Sequence, residues 1–176
     1  PGIVHRIDKD TSGLILVAKN NQAHAILAED FKNKRIKRKY IALVCGVLQH
    51  NHITIDAPIG RDKVNRKQMT VTAENSKYAV THVHVLKRYQ KYTLVECELE
   101  TGRTHQIRVH MAYIGYPIYN DPVYNKKEAT TFGQFLHSSE ITFTSPSTHK
   151  TLSFTCPLPK EFQDFLDELE KQETNK

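Results

Sequence analysis

The carboxylate of Asp8 stands two residues after an arginine, in His5-Arg6-Ile7-Asp8, and is followed by a turn through Asp10, Thr11, Ser12 and Gly13 and then by an apolar run. That layout presents Asp8 on a loop with a rigid strand behind it, which is how a carboxylate is held for chemistry. A second segment, LETGRTHQIRVH at 99–110, carries the basic partner that a working carboxylate needs. An arginine fork beside a carboxylate keeps it ionised and oriented, and an ionised carboxylate can act as a nucleophile or as an electrostatic stabiliser. Arg103 is the expected partner. The residues alone leave plainer readings open: Asp8 as a cap of the turn that follows, of ordinary Asp, Thr, Ser and Gly composition, and Arg103 as a surface arginine near phosphate.

Positioning these groups requires a folded scaffold, and 176 residues with 39% apolar content are enough for one domain with an ordinary core. LILVAK (14–19) reads as a buried strand, and residues 20–34 as a helix with Ala23, Ile26, Leu27 and Phe31 on one side and asparagine at its start. KYIALVCG follows as a strand. The stretch 54–77, with Pro58, Gly60 and alternating charges, reads as loops and short strands that leave the main sheet. Residues 79–88 and 92–100 form two strands joined at Tyr89, Gln90 and Lys91; in the second, Val95, Cys97 and Leu99 face a core while Glu96, Glu98 and Glu100 face water. Residues 104–114 are helical, with Ile107, Met111 and Ile114 on one stripe. EITFT and TLSFT make a hairpin, and 157–172 an amphipathic helix with Phe162, Phe165, Leu166 and Leu169 on its apolar side. Strands outnumber helices and most neighbours are antiparallel, so the expected class is α+β, a mixed and mainly antiparallel sheet flanked by helices.

Charge narrows the partner. The chain has 25 Lys and Arg against 19 Asp and Glu, and six of those acids lie in residues 160–176 beside three lysines. Residues 1–159 therefore carry 22 basic against 13 acidic groups, a net +9 that favours a polyanion. Six of the basic residues fall in FKNKRIKRKY, between 32 and 39, directly before Tyr40; Lys37 and Lys39 are the expected phosphate contacts. Cys45, Cys97 and Cys156 form no CxxC pair, which implies neither a disulfide framework nor a zinc knuckle. His105 and His110 are five apart and do not share a helical face, and the pairs His50/His52 and His82/His84 have no third ligand, so no metal is expected. No segment approaches the ~18 continuous apolar residues of a membrane span, and the expected location is the cytoplasm.

Taken together, HRIDKDTSGLILVAK and GRTHQIRVH resemble the RluA family of RNA pseudouridine synthases, whose HRLD motif is matched with Ile7 as its one substitution. The resemblance implies that Asp8 is the nucleophile and that Arg103 is the motif arginine. It also implies that Tyr40 sets its ring against a target uracil, and that Leu136 in FLHSS closes the other side of the base pocket, with Ser138 where the family has alanine. Arg6 is then the residue that holds a flipped nucleotide out of its stack. The implied reaction is isomerisation of uridine in structured ribosomal or transfer RNA, with Asp8 assisting cleavage between ribose C1′ and uracil N1 either by adding to C1′ or by abstracting a ribose proton to give a glycal. No cofactor is expected, and the chain has no G-x-G-x-x-G segment or P-loop. Two other readings remain at this stage: a non-catalytic RNA-binding module, and a carboxylate glycosidase, which would need a second acid to protonate its leaving group. Because the motif begins at residue 5, the chain reads as a catalytic domain lacking its opening strands, and its sheet is expected to have an unfilled edge.

Overall fold

The structure, a computed structural model, describes residues 2–125 and 129–175. Its elements run β1 (Gly2–Ile3), β2 (Ser12–Gly13), β3 (Val17–Ala18), α1 (Asn21–Lys32), β4 (Lys37–Cys45), β5 (His52–Asp56), β6 (Ile59–Arg61), β7 (Met69–Val71) and β8 (Ser76–Lys77). They continue with β9 (Val80–Arg88), β10 (Tyr92–Leu99), α2 (Gln106–Tyr113), β11 (Leu136–Thr144), β12 (Thr151–Thr155) and α3 (Lys160–Thr174). The class is α+β, as the pattern of the sequence implies.

A seven-stranded sheet in the order β12-β11-β4-β10-β9-β5 forms the body, with β2 added in parallel to β11. Every other pairing in it is antiparallel. The alternation of β10 sorts its faces: Thr93, Val95 and Cys97 are buried, whereas Glu96 and Glu98 are only half-buried. On the buried face, Tyr40, Ala42, Val95 and Cys97 pack with Ile107 and Met111 of α2 and with Phe162, Leu166 and Leu169 of α3. The apolar stripe of α3 is thus what docks it on the sheet. Strands β6, β7 and β8 form a separate three-stranded sheet, as the Pro- and Gly-containing stretch 54–77 implies.

Helix α1 begins where its cap dictates: the Asn20 side chain accepts a hydrogen bond from the Ala23 amide at 2.8 Å. It covers a smaller core of Ala18, Leu27, Ile36 and Ile141. The expected buried strand at 14–19 is not one strand. Only residues 17–18 of it are strand, paired with β1; residues 12–13, just before it, pair with β11, and both Ile15 and Val17 are exposed. An unbroken apolar run cannot reveal which of its residues will find a strand partner. No helix among the described residues is long and apolar enough to cross a membrane.

Candidate active site

Asp8 sits on the loop between β1 and β2, and buried polar groups fix that loop. The Asp8 carbonyl accepts from the Thr11 amide at 3.1 Å, closing the turn in which Asp10 adopts a left-handed φ of 69°. Buried Gln134 donates to the Lys9 carbonyl at 2.6 Å and to Thr11 Oγ1 at 2.9 Å. Ser12 Oγ meets His137 Nδ1 at 2.8 Å, and His137 Nε2 reaches the Cys156 carbonyl at 2.8 Å. Gly13 is where the loop backbone comes closest to β11: a Cβ there would lie 2.1 Å from the Ser138 carbonyl oxygen, and its φ is +103°. Gly13→Ala should therefore lower the unfolding free energy by about 2–4 kcal/mol, through strain and the clash together. Chemical denaturation checks this; a loss below about 0.5 kcal/mol would mean the loop is not pinned there.

The expected pairing of Asp8 with Arg103 is corrected by the geometry. Arg103 lies before α2 and donates from Nε to the Tyr78 carbonyl at 2.8 Å. The guanidinium that meets Asp8 is that of Arg108, whose Nη1 is 3.5 Å from Asp8 Oδ2. Arg108 projects from α2 between Ile107 and Val109, in a stretch that is buried from Gln106 to Met111. It makes a bidentate pair with fully buried Asp121, Nε to Oδ2 and Nη2 to Oδ1, both 2.8 Å. Burial opposes the charge of Arg108, but the hydrogen bonds and charge of Asp121, with Asp8 beyond, outweigh it and raise the pKa above its ordinary value. Asp121 Oδ1 also accepts from the Val123 and Tyr124 amides, so the guanidinium facing Asp8 is held from behind. An arginine flanked by apolar residues on a buried helix was the signal available in the sequence, because a buried guanidinium requires a carboxylate.

Helix α2 is itself anchored at its start by Gln106, whose Oε1 accepts from the Arg103 amide and Thr101 Oγ1 and whose Nε2 donates to the Val80 carbonyl and Thr81 Oγ1. His105 caps the helix in a left-handed conformation and meets the Tyr124 hydroxyl at 2.7 Å. His110, fully buried, bonds Thr81 and the Ala57 carbonyl.

The structure brings Arg6, Asp8, Tyr40, Arg103 and Leu136 to one narrow cleft, and adds Arg38. Tyr40 and Ser138 are direct partners across the β4–β11 ladder, and a register irregularity between Ser138 and Glu140 falls beside them. Burial pushes the Tyr40 hydroxyl above its ordinary pKa, so it is a protonated phenol at neutral pH. Asp8 is the one acid among the described residues that line the cleft.

Lys37 and Lys39 are not at this site. Along β4 the residues facing the cleft are Arg38 and Tyr40, so the two lysines point to the opposite side of the sheet. There Lys37 is 3.8 Å from Glu98, and Lys39 is 3.5 Å from Glu96 and 3.6 Å from Glu140. The basic run ends as strand β4 from Lys37 onward, with two-residue periodicity, and of its six basic residues only Arg38 lines this cleft. No group of three or more His, Cys, Asp or Glu among the described residues is placed to hold a metal ion.

Three histidines whose ordinary pKa the fold lowers give a pH signature. Burial, assisted by the charge of Arg38, lowers the pKa of His5 from 6.5 to about 4. Burial also lowers those of His105 and His110. Each binds its proton less readily in the folded chain than in the unfolded one. Stability should be full above about pH 6.5 and fall as pH drops toward about 4, where the unfolded chain takes up protons that the folded chain refuses. Thermal melts across that range check this, and His5→Gln should make the decline shallower.

Comparison with known proteins places this chain in a family. The profile of the RNA pseudouridylate synthases matches residues 1–113. An uncharacterized RNA pseudouridine synthase of Bacillus subtilis, YlyB, is 55% identical over 172 residues, covering 97% of this chain and 56% of the relative. Ribosomal large subunit pseudouridine synthase D of Zymomonas mobilis is 42% identical over 175 residues, covering 93% of this chain and 54% of the relative. The chain thus spans about half the length of these curated relatives. Among solved structures, human RNA pseudouridylate synthase domain containing 1 superposes with a TM-score of 0.80 at 26% identity, over 96% of this chain and 80% of that one. The shared fold, the matched profile and the opening motif lead to one conclusion: the chain belongs to the RNA pseudouridylate synthase family, in the RluA group that its HRID segment resembles.

Proposed function

We propose that the natural protein carrying this chain isomerises uridine to pseudouridine in structured RNA, with residues 1–176 supplying its catalytic domain and Asp8 its catalytic carboxylate. The observation that carries this reading is a single acid among the described residues of the cleft, set against a buried guanidinium that a second carboxylate holds in place. The C1′–N1 bond breaks with its electron pair leaving on uracil N1. The base turns, C5 bonds to C1′, the C5 proton passes to solvent and N1 is protonated. Product and substrate are isomers, so the balance requires no cofactor. The Tyr40 ring and Leu136 are read as the walls for a flat base, and Arg6, which lines the same cleft, as the residue that fills the stack a flipped nucleotide leaves.

A glycosidase is disfavoured because the cleft offers no second acid among the described residues for the leaving group: Asp121 is fully buried against Arg108, and Asp10 packs over Gly133. A binding module gains nothing from a carboxylate at the base, which would repel RNA phosphates. The names of relatives such as the Zymomonas mobilis synthase favour ribosomal RNA as the substrate class. The test is tritium release from RNA labelled at uridine C5, with the natural protein. Release to water is expected; free uracil, or binding with neither product, would overturn the assignment.

A further inference from the structure

Beside the Asp8 cleft lies a second, wider one of about 420 Å³ that shares Arg6, Arg38, Gly102 and Arg103 with it. Its walls also include His5, Phe31, Lys32 and Lys34. Two buried N–H donors on these walls have no acceptor among the described residues. One is Arg38 Nε, on a side chain from a residue only 8% exposed. The other is His5 Nδ1. His5 Nε2 accepts from the Leu16 amide at 2.8 Å, so the neutral ring carries its proton on Nδ1 and presents it as a donor. Leaving such donors unsatisfied costs about 1–3 kcal/mol each, more for the charged one, and buried orphans of this kind call for a ligand or another explanation.

The surroundings hold the two donors in place. Both pack on the Phe31 ring: His5 is stacked at 4.9 Å between centroids, and the Arg38 guanidinium carbon lies 5.1 Å from the ring centre. Gly102 leaves the space that the guanidinium occupies, since a Cβ there would sit 2.5 Å from Arg38 Nη1. The acid on the cleft wall, Glu100, is engaged by His82 at 3.0 Å and does not neutralise Arg38. A buried arginine with no carboxylate, next to a neutral histidine donor and a basic rim, is the complement of an anion with several acceptor oxygens.

We propose that Arg38 and His5 form a phosphodiester subsite, which grips the backbone phosphate of the RNA strand adjoining the nucleotide that enters the Asp8 cleft. This rests on the RNA-modifying reading above and deepens it. The subsite fixes the strand by charge-assisted hydrogen bonds from buried, preordered donors, while Arg6 and Lys34 at the rim contribute screened attraction. It reads the backbone, not the base, so it sets register without sequence preference.

The test uses the natural protein with a 12-residue oligouridylate and its neutral methylphosphonate-backbone counterpart. Arg38→Gln should weaken binding of the charged oligomer about tenfold and reduce the slope of log affinity against log salt by about 0.7. Binding of the neutral oligomer should be unchanged, and Arg38→Lys should recover part of the loss. In the wild-type protein, which needs no folding control, the Arg38 Nε–H and His5 Nδ1–H resonances should move on titration with the charged oligomer. Equal weakening for both backbones, or resonances that do not move, would overturn the subsite. A response to inorganic phosphate but not to the oligomer would overturn its assignment to RNA. Tritium release by the wild type reports separately on the isomerase reading: if it fails while the binding results hold, the subsite stands and the reaction assignment falls.

Discussion

Asp8→Asn should lower tritium release from uridine-labelled RNA by at least about 10³-fold while leaving RNA affinity within about threefold. The amide keeps the size and shape of the carboxylate and loses its charge, which is the property the proposed chemistry uses. The fold should tolerate the change for a specific reason. Arg108 reaches Asp8 over 3.5 Å, but its short bonds, two of 2.8 Å, go to Asp121. Removing the Asp8 charge therefore leaves the guanidinium paired, and the melting temperature should shift by only a few degrees. Activity and fluorescence-anisotropy binding measured on the same preparation check both halves. Residual turnover within tenfold of wild type would remove Asp8 as the catalytic group; a large loss of affinity would mean its role is in binding.

Arg108→Gln should be far more damaging to the fold than Arg103→Gln, although the two arginines lie five residues apart in one motif. Arg108 and Asp121 are both buried, and removing the cation leaves Asp121 as an uncompensated charge, a change that costs about 3–5 kcal/mol. For a chain of this size that corresponds to a fall in melting temperature of roughly ten degrees or more. The loop carrying Asp8 loses its facing charge at the same time, so activity should be abolished even at temperatures where the variant remains folded. Arg103→Gln removes only a partly exposed Nε contact to the Tyr78 carbonyl, and its stability cost should stay below about 1 kcal/mol. The double variant Arg108→Gln/Asp121→Asn should recover part of the stability lost by Arg108→Gln, since it removes the stranded carboxylate, without recovering activity. Equal melting temperatures for the Arg103 and Arg108 single variants would show that the buried pair does not hold this site together.

The far face of the main sheet shows why charge composition alone misplaced two residues. FKNKRIKRKY carries six basic side chains, but once β4 begins at Lys37 the strand sends consecutive residues to opposite sides. Lys37 and Lys39 then meet Glu98, Glu96 and Glu140, contributed by strands distant in sequence. The parity was readable, because Lys39 and Tyr40 cannot share a face. The acids waiting on the other side were not, because their arrival depends on the order β11-β4-β10 of the sheet.

What the sequence determined by itself was local and periodic. The Asn20 cap, the stripe of Phe162, Leu166 and Leu169, the alternation of Val95 and Cys97 with glutamates, and the turn at Tyr89 to Lys91 each follow from interactions within a few residues. The motif residues Arg6, Asp8, Tyr40 and Leu136 were legible too, through the resemblance that marks them, and the structure gathers all four at one cleft. The tertiary structure alone decided which partner each charge would have. Within GRTHQIRVH, two arginines are equally available until α2 is seen to begin at Gln106 and to bury Arg108 over the loop that holds Asp121. In LILVAK, the apolar run was visible but not that only Val17 and Ala18 of it would be strand, paired with β1, while the strand that joins β11 lies just before it at Ser12 and Gly13. Periodicity reports which side of an element is apolar; the partners of Arg108 are tertiary facts, with Asp121 thirteen residues away in the loop after α2 and Asp8 a hundred residues away.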